Sequence, residues 1–198
     1  MNEKLTLVYI HGATATSLSF SYIRSHLPYN EILIDYDCDS GFYQNLESMT
    51  NQLQGKRNLF FVGHSLGGIY ALHLADQFKE ETLGGVTLST PYGGSKEAFY
   101  LRFLFPFNRL LREVTPFSRP IYGLRNITAP KLWTNIVTKK DNGVWKTEPN
   151  DGIVTQASMR YRTDIELMDL DVNHYEVVVS PNTVEIIKDR IKKAPVSK

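Results

Sequence analysis

The sequence predicts an α/β fold: a mostly parallel sheet of about six strands with helices on both faces. Three observations carry this expectation. Short apolar runs alternate along the chain with helix-compatible stretches, the pattern of strands joined by right-handed helical crossovers. The hexapeptide Gly63-His64-Ser65-Leu66-Gly67-Gly68 joins one such apolar run to one such stretch by a sharp turn. The 198 residues, 42% hydrophobic and 22% charged, suffice for one domain with a sizeable core.

Taken in order, Leu5-Thr6-Leu7-Val8-Tyr9-Ile10 reads as the first strand. Residues 17–27 read as a helix stopped by Pro28. Residues 31–36, with Ile32, Leu33 and Ile34, read as the second strand, and 42–54 as a polar helix ended by Gly55. The third strand covers 59–62 and runs into a helix over 66–78; a fourth strand covers 83–89. Further strands are expected at 132–138 and 165–170, and a terminal helix at 182–193, entered after Pro181. The interval 91–130 breaks the alternation and is too long for a plain loop. It reads as a cap of one or two helices inserted at about 95–128 in a single domain spanning 1–198. Phe99, Tyr100, Phe103, Phe105 and Phe107 crowd this interval and are expected mostly to pack the cap onto the body. Arg102, Arg109 and Arg112 would suit anionic head groups, which leaves room for transient lipid-surface contact through the cap.

A formal net charge of +1 provides no global field for nucleic acid. The single cysteine, Cys38, excludes an intrachain disulfide framework and an all-cysteine zinc site. Asp35, Asp37 and Asp39 surround it and oppose a thiolate, so it is not read as a nucleophile. No segment reads as a signal peptide or a membrane span, so the expected location is the cytoplasm, and the sequon Asn126-Ile127-Thr128 carries little meaning there.

The motif Gly-x-Ser-x-Gly between a strand and a helix is a nucleophile elbow, which lifts the serine hydroxyl above the sheet. Ser65 is therefore the candidate nucleophile; Gly63 and Gly67 let helix and strand pass closely. A serine needs a general base and a group to orient that base, and after an elbow these come in the order acid, then histidine. Only His174 lies beyond residue 73, in the loop Asp171-Val172-Asn173-His174-Tyr175 after the last strand. His11 is expected to shape a loop, and His64 to point away from the serine hydroxyl. His26 and His73 read as surface or packing residues. Two candidate acids follow the 132–138 strand: Asp141 in a hairpin-like Asp-Asn-Gly turn, and Asp151 in Asn150-Asp151-Gly152-Ile153-Val154. Backbone amides must receive the developing oxyanion. Leu66, after the nucleophile, supplies one. Ala13, after the tight turn at Gly12, is the second candidate. The loop 11–16 has no Gly-Lys-Ser/Thr ending, which excludes a phosphate cradle.

These residues resemble the α/β-hydrolase superfamily, and within it the lipase/esterase branch. The resemblance runs along nearly the whole chain: His11-Gly12, the elbow, Ser89-Thr90-Pro91-Tyr92-Gly93-Gly94-Ser95, Asn150-Asp151-Gly152-Ile153-Val154 with Ser158, and Asn173-His174-Tyr175-Glu176. It implies Asp151 rather than Asp141 as the acid, and a small form of the fold that starts on the oxyanion-loop strand. Some bacterial lipases bind calcium near the histidine loop. Glu176 stands at the matching place without a convincing set of partners, so no metal and no cofactor is expected. The implied activity is hydrolysis of carboxylic esters through an acyl-enzyme, on a small-molecule ester or lipid. A thioesterase, an amidase or peptidase on the same triad, or an inactive binding module are the alternatives.

Overall fold

Along the central strands, neighbouring side chains enter two different cores, so the sheet is built from both faces. The computed structural model describes residues 5–94, 115–140 and 148–195. Six strands form one sheet: β1 (Thr6–Ile10), β2 (Asn30–Ile34), β3 (Leu59–His64), β4 (Thr82–Leu88), β5 (Trp133–Thr138) and β6 (Glu166–Leu170). Their spatial order is β2-β1-β3-β4-β5-β6, and every neighbouring pair is parallel. Val8 and Ile10 of β1 join Leu59 and Phe61 of β3 in one core. Leu7 and Tyr9 join Phe60 and Val62 in the other. This is the two-residue period of a strand buried on both sides.

Six α-helices lie in the described residues: α1 (Ser21–Ser25), α2 (Phe42–Leu53), α3 (Leu66–Gln77), α4 (Arg119–Gly123), α5 (Gln156–Met159) and α6 (Pro181–Lys193). Helices α2 and α3 cover the first core, while α1 and α6 cover the second. Helix α3 is buried from Leu66 to Ala75. Helix α6 starts with Pro181 in its first turn and ends with Arg190, Lys192 and Lys193, both favourable placements.

The predicted 17–27 helix is divided. Ser17–Phe20 is a 3-10 turn and only Ser21–Ser25 is α-helical. The hydroxyls of Ser19, Ser21 and Ser25 donate back to the carbonyls of Thr16, Leu18 and Tyr22, competing with the helical ladder. The predicted second strand also ends early. Beyond Ile34 the chain leaves the sheet, and Asp35 and Tyr36 turn toward the loop after β1.

Most of the predicted cap, residues 95–114, lies outside the described residues, as do Arg102, Arg109, Arg112 and Asp141. Residues 115–127 pack on the body. Ile121, Leu124 and Ile127 are buried in the core beside α2 and α3. His73 Nε2 donates to the Pro120 carbonyl at 3.0 Å, tying α3 to α4. Among the described residues no helix is long and apolar enough to cross a membrane.

Candidate active site

The chain runs outward from β1 to β2 and then, from β3 onward, in the opposite direction across the sheet. The loops after β1 and β3 therefore part company at adjacent strand ends, where open parallel sheets hold their ligands. Residues 11–16 leave β1 there, and Ser65 leaves β3.

Ser65 has φ +52° and ψ −121°, a conformation that non-glycine residues rarely hold. Its amide donates to Leu88 O at 2.8 Å and its carbonyl accepts from Gly68 N at 3.0 Å. Two glycines permit this turn. A Cβ on Gly67 would stand 2.0 Å from Ile10 O, and one on Gly63 would stand 2.7 Å from Gly67 O. Helix α3 thus begins directly against β1, and its first residue, Leu66, presents an N–H with no intrahelical acceptor. Gly12 closes over the elbow: a Cβ there would meet Ser65 Cβ at 3.3 Å and His64 Nδ1 at 3.0 Å.

Asp151 and His174 are brought together. His174 Nδ1 donates to Asp151 Oδ2 at 2.8 Å, and His174 N donates to Asp151 O at 3.1 Å. The pair is buried, with Asp151 1% and His174 4% exposed. Thr138, the last residue of β5, donates its hydroxyl to the same Oδ2 at 2.5 Å. Asp151 Oδ1 accepts from the amides of Ile153 at 3.1 Å and Val154 at 2.8 Å. Burial pushes the Asp151 carboxyl pKa up. The hydrogen bond and charge of His174, with the bonds from Thr138 and Val154, outweigh that push and hold it below the ordinary 3.8. The carboxylate is thereby kept ionised in a dry setting, and its bond to Nδ1 leaves Nε2 as the nitrogen of His174 not engaged by Asp151.

His64 has a part that its place in the sequence did not reveal. Its Nε2 donates to His174 O at 3.0 Å, and the two rings lie 4.8 Å apart. The residue before the candidate nucleophile therefore fastens the histidine loop. Burial, and then the nearby His174, lower its pKa from 6.5 to about 3, so it stays neutral. Thr138 and its hydroxyl partner Ser89, at 2.8 Å, were also missed. Their signal was a buried hydroxyl residue at the carboxyl end of a core strand.

The loop after β1 is gripped from 35–38. Tyr36 stacks on His11 at 4.2 Å with rings 3° from parallel. Tyr36 N donates to His11 Nε2 at 3.3 Å, and the Tyr36 hydroxyl donates to His11 O at 3.1 Å. Asp35 accepts from Ser17 N at 2.6 Å and Ser17 Oγ at 2.8 Å. Cys38 Sγ accepts from Thr14 N at 3.2 Å, and burial raises its thiol pKa. Ala13 sits between these contacts, and no backbone acceptor takes its N–H among the described residues.

Glu176 bonds to Lys140 Nζ at 2.9 Å and accepts from Asn173 N at 3.1 Å, closing the histidine loop on itself. No group of three or more His, Cys, Asp or Glu placed to hold a metal ion occurs among the described residues.

A family model described as "Alpha/beta hydrolase family" matches residues 7–172. No curated protein matches the sequence. Among solved structures, the chain is similar to the mature lipase BlEst2 of Bacillus licheniformis. That match has a TM-score of 0.75 at 18% identity, covering 94% of this chain and 91% of that one. A metagenomic carboxyl esterase, MGS0156, matches with a TM-score of 0.71 at 18% identity, over 96% of this chain and 75% of that one. A lipase-esterase related protein from Clostridium acetobutylicum matches with a TM-score of 0.65 at 16% identity, over 97% of this chain and 98% of that one. At such identities the likeness is one of fold.

Proposed function

Because this chain belongs to the alpha/beta hydrolase family, we propose that it is a serine hydrolase that cleaves carboxylic esters through an acyl-enzyme. The observation that carries the reading is the buried Asp151–His174 pair, facing the same end of the sheet as a serine held at φ +52°. In this reading Ser65 Oγ attacks the ester carbonyl and gives its proton to the outer nitrogen of His174. The carbonyl oxygen becomes an oxyanion received by the Ala13 and Leu66 amides. The tetrahedral centre collapses, the C–O bond to the alcohol breaks, and His174 returns the proton to the departing oxygen. A water then repeats the sequence on the acyl-enzyme, releasing the acid and restoring Ser65. Asp151 holds His174 in the tautomer that keeps its outer nitrogen free and stabilises the charged ring. The aromatic content of the interval at about 95–128, read from the sequence as a cap within a single domain, favours an apolar acyl group.

The test is intact-mass analysis after incubation with a fluorophosphonate. Wild type gains one adduct, while Ser65→Ala and His174→Ala gain none and keep their circular-dichroism spectra. A folded wild type that takes no adduct ends the proposal. Matched ester, thioester and amide substrates then rank the bond cleaved.

A further inference from the structure

The proposed chemistry needs the Ala13 N–H to point at the reacting carbonyl, and nothing in a six-residue loop guarantees that direction. Thr14 has φ +60°, so the loop is held against its local preference. What holds it can be traced atom by atom. Tyr36 N–H donates to His11 Nε2, so that nitrogen carries the lone pair and Nδ1 carries the hydrogen. Nδ1–H then donates to Gly12 O at 2.7 Å. Ala15 N donates to the same oxygen at 3.2 Å. Both donors draw Gly12 C=O inward. In a trans peptide the carbonyl and the next N–H point in opposite directions. Fixing Gly12 O therefore fixes the Ala13 N–H on the other side of the plane. The Asp35 carboxylate lies 3.5 Å from His11 Nε2 but takes its hydrogens from Ser17, so it does not reverse this tautomer.

We infer that His11, locked by Tyr36, is the positioning residue that aims the Ala13 amide at the oxyanion. This rests on the serine-hydrolase reading above. His11 touches no substrate; it acts through one peptide plane. Its flat ring is needed for the stack on Tyr36 and its Nδ1–H for the grip on Gly12 O. The two functions can be separated by substitution. His11→Phe keeps a ring and loses the donor. His11→Asn loses the ring and keeps a donor close to the Nδ1 position. Tyr36→Phe removes only the hydroxyl on His11 O.

The experiment measures kcat and KM for p-nitrophenyl butyrate, inhibition by butylboronic acid, whose serine adduct is tetrahedral, and the melting temperature. His11→Phe is expected to lower kcat about 10- to 100-fold, less than or equal to the loss from deleting one oxyanion donor. Boronate affinity falls by a similar factor and KM changes less than about twofold, since the ground-state carbonyl gains little from the amide. His11→Asn recovers most of kcat, although its melting temperature is no better than that of His11→Phe. A purely structural role would move the melting temperature and leave kcat of the folded fraction intact. Wild-type kcat in His11→Phe, or His11→Asn no faster than His11→Phe, overturns the inference. Should His11→Phe fail to fold, His11→Leu, which also lacks the donor, and Tyr36→Leu, which removes both the stack and the hydroxyl, take its place: reduced kcat at constant KM in the folded variant supports the inference and unchanged kcat overturns it. A wild type that takes no fluorophosphonate sinks the hydrolase reading itself, whereas a labelled wild type with an unaffected His11→Phe sinks only this step.

Discussion

The Asp151 carboxylate accepts hydrogen bonds from four donors, and two of its contacts can be tested by near-isosteric substitution. Asp151→Asn keeps the shape but offers His174 the wrong partner, so kcat should fall by about 10⁴-fold while KM holds. Thr138→Val removes one hydroxyl of nearly the same volume. The loss of about 1.5–3 kcal/mol of hydrogen bonding to a charged group corresponds to roughly a 10- to 100-fold fall in kcat. Steady-state kinetics on both variants check this, and a Thr138→Val protein as fast as wild type would remove Thr138 from the account. At this scale Ser65, His174 and Asp151 could be nominated from the sequence because an elbow motif, chain order and the family resemblance converged on them, and the structure brings the last two into contact. His64 was not legible. Its bond is to a backbone carbonyl 110 residues away, and no local pattern encodes such a contact. Asp151 was separated from Asp141 mainly by resemblance; Asp151 lies against His174, and Asp141 falls outside the described residues.

Among the elements, the elbow joining β3 to α3 has the least freedom. A methyl on Gly67 would press on backbone oxygens of Ile10 and His11 at 2.0 and 2.5 Å, and no side chain can rotate away. Gly67→Ala should therefore give little folded protein, as judged by soluble yield and thermal melting. A well-folded Gly67→Ala chain would mean that α3 can shift from β1. All six strands were visible in the sequence, since their apolar runs are short and bounded by turn residues. The boundaries that failed share one cause. At 17–27 serine hydroxyls took helical carbonyls, and at 35–36 side chains were drawn off the sheet to grip the β1 loop. In both places side-chain hydrogen bonds overrode the backbone pattern. They lie beside the candidate site, where local preference is most often overruled.

Across the whole molecule, His11, His64 and His73 are buried, and burial lowers the pKa of each below the ordinary 6.5. In the folded chain they take up protons only at lower pH than in the unfolded chain, where they do so near that ordinary value. The unfolded state therefore binds more protons as the pH drops below about 6.5, and folding stability declines with it. The share due to His64 is lost over the range down to about 3. Asp151, whose pKa is depressed, adds its own loss only at lower pH, below the ordinary 3.8. Urea midpoints should fall between pH 7 and 5, before most carboxylates titrate. A midpoint that stays level over that interval would contradict the burial of these imidazoles.

The parallel sheet has a further consequence, in time rather than in energy. No strand of β1 to β6 meets its neighbour through a hairpin; Thr6 of β1 pairs with Leu59 of β3 only after a strand and two helices have intervened. No strand pair can form early and wait for the rest, so each must close a long stretch of chain before any contact rewards it. The elbow lies in the connection from β3 to β4 and the Asp151 loop in that from β5 to β6, while the His174 loop follows the last strand. The proposed triad is therefore complete only once segments distant in sequence have been brought to one end of the sheet, whatever the order in which the strands pair.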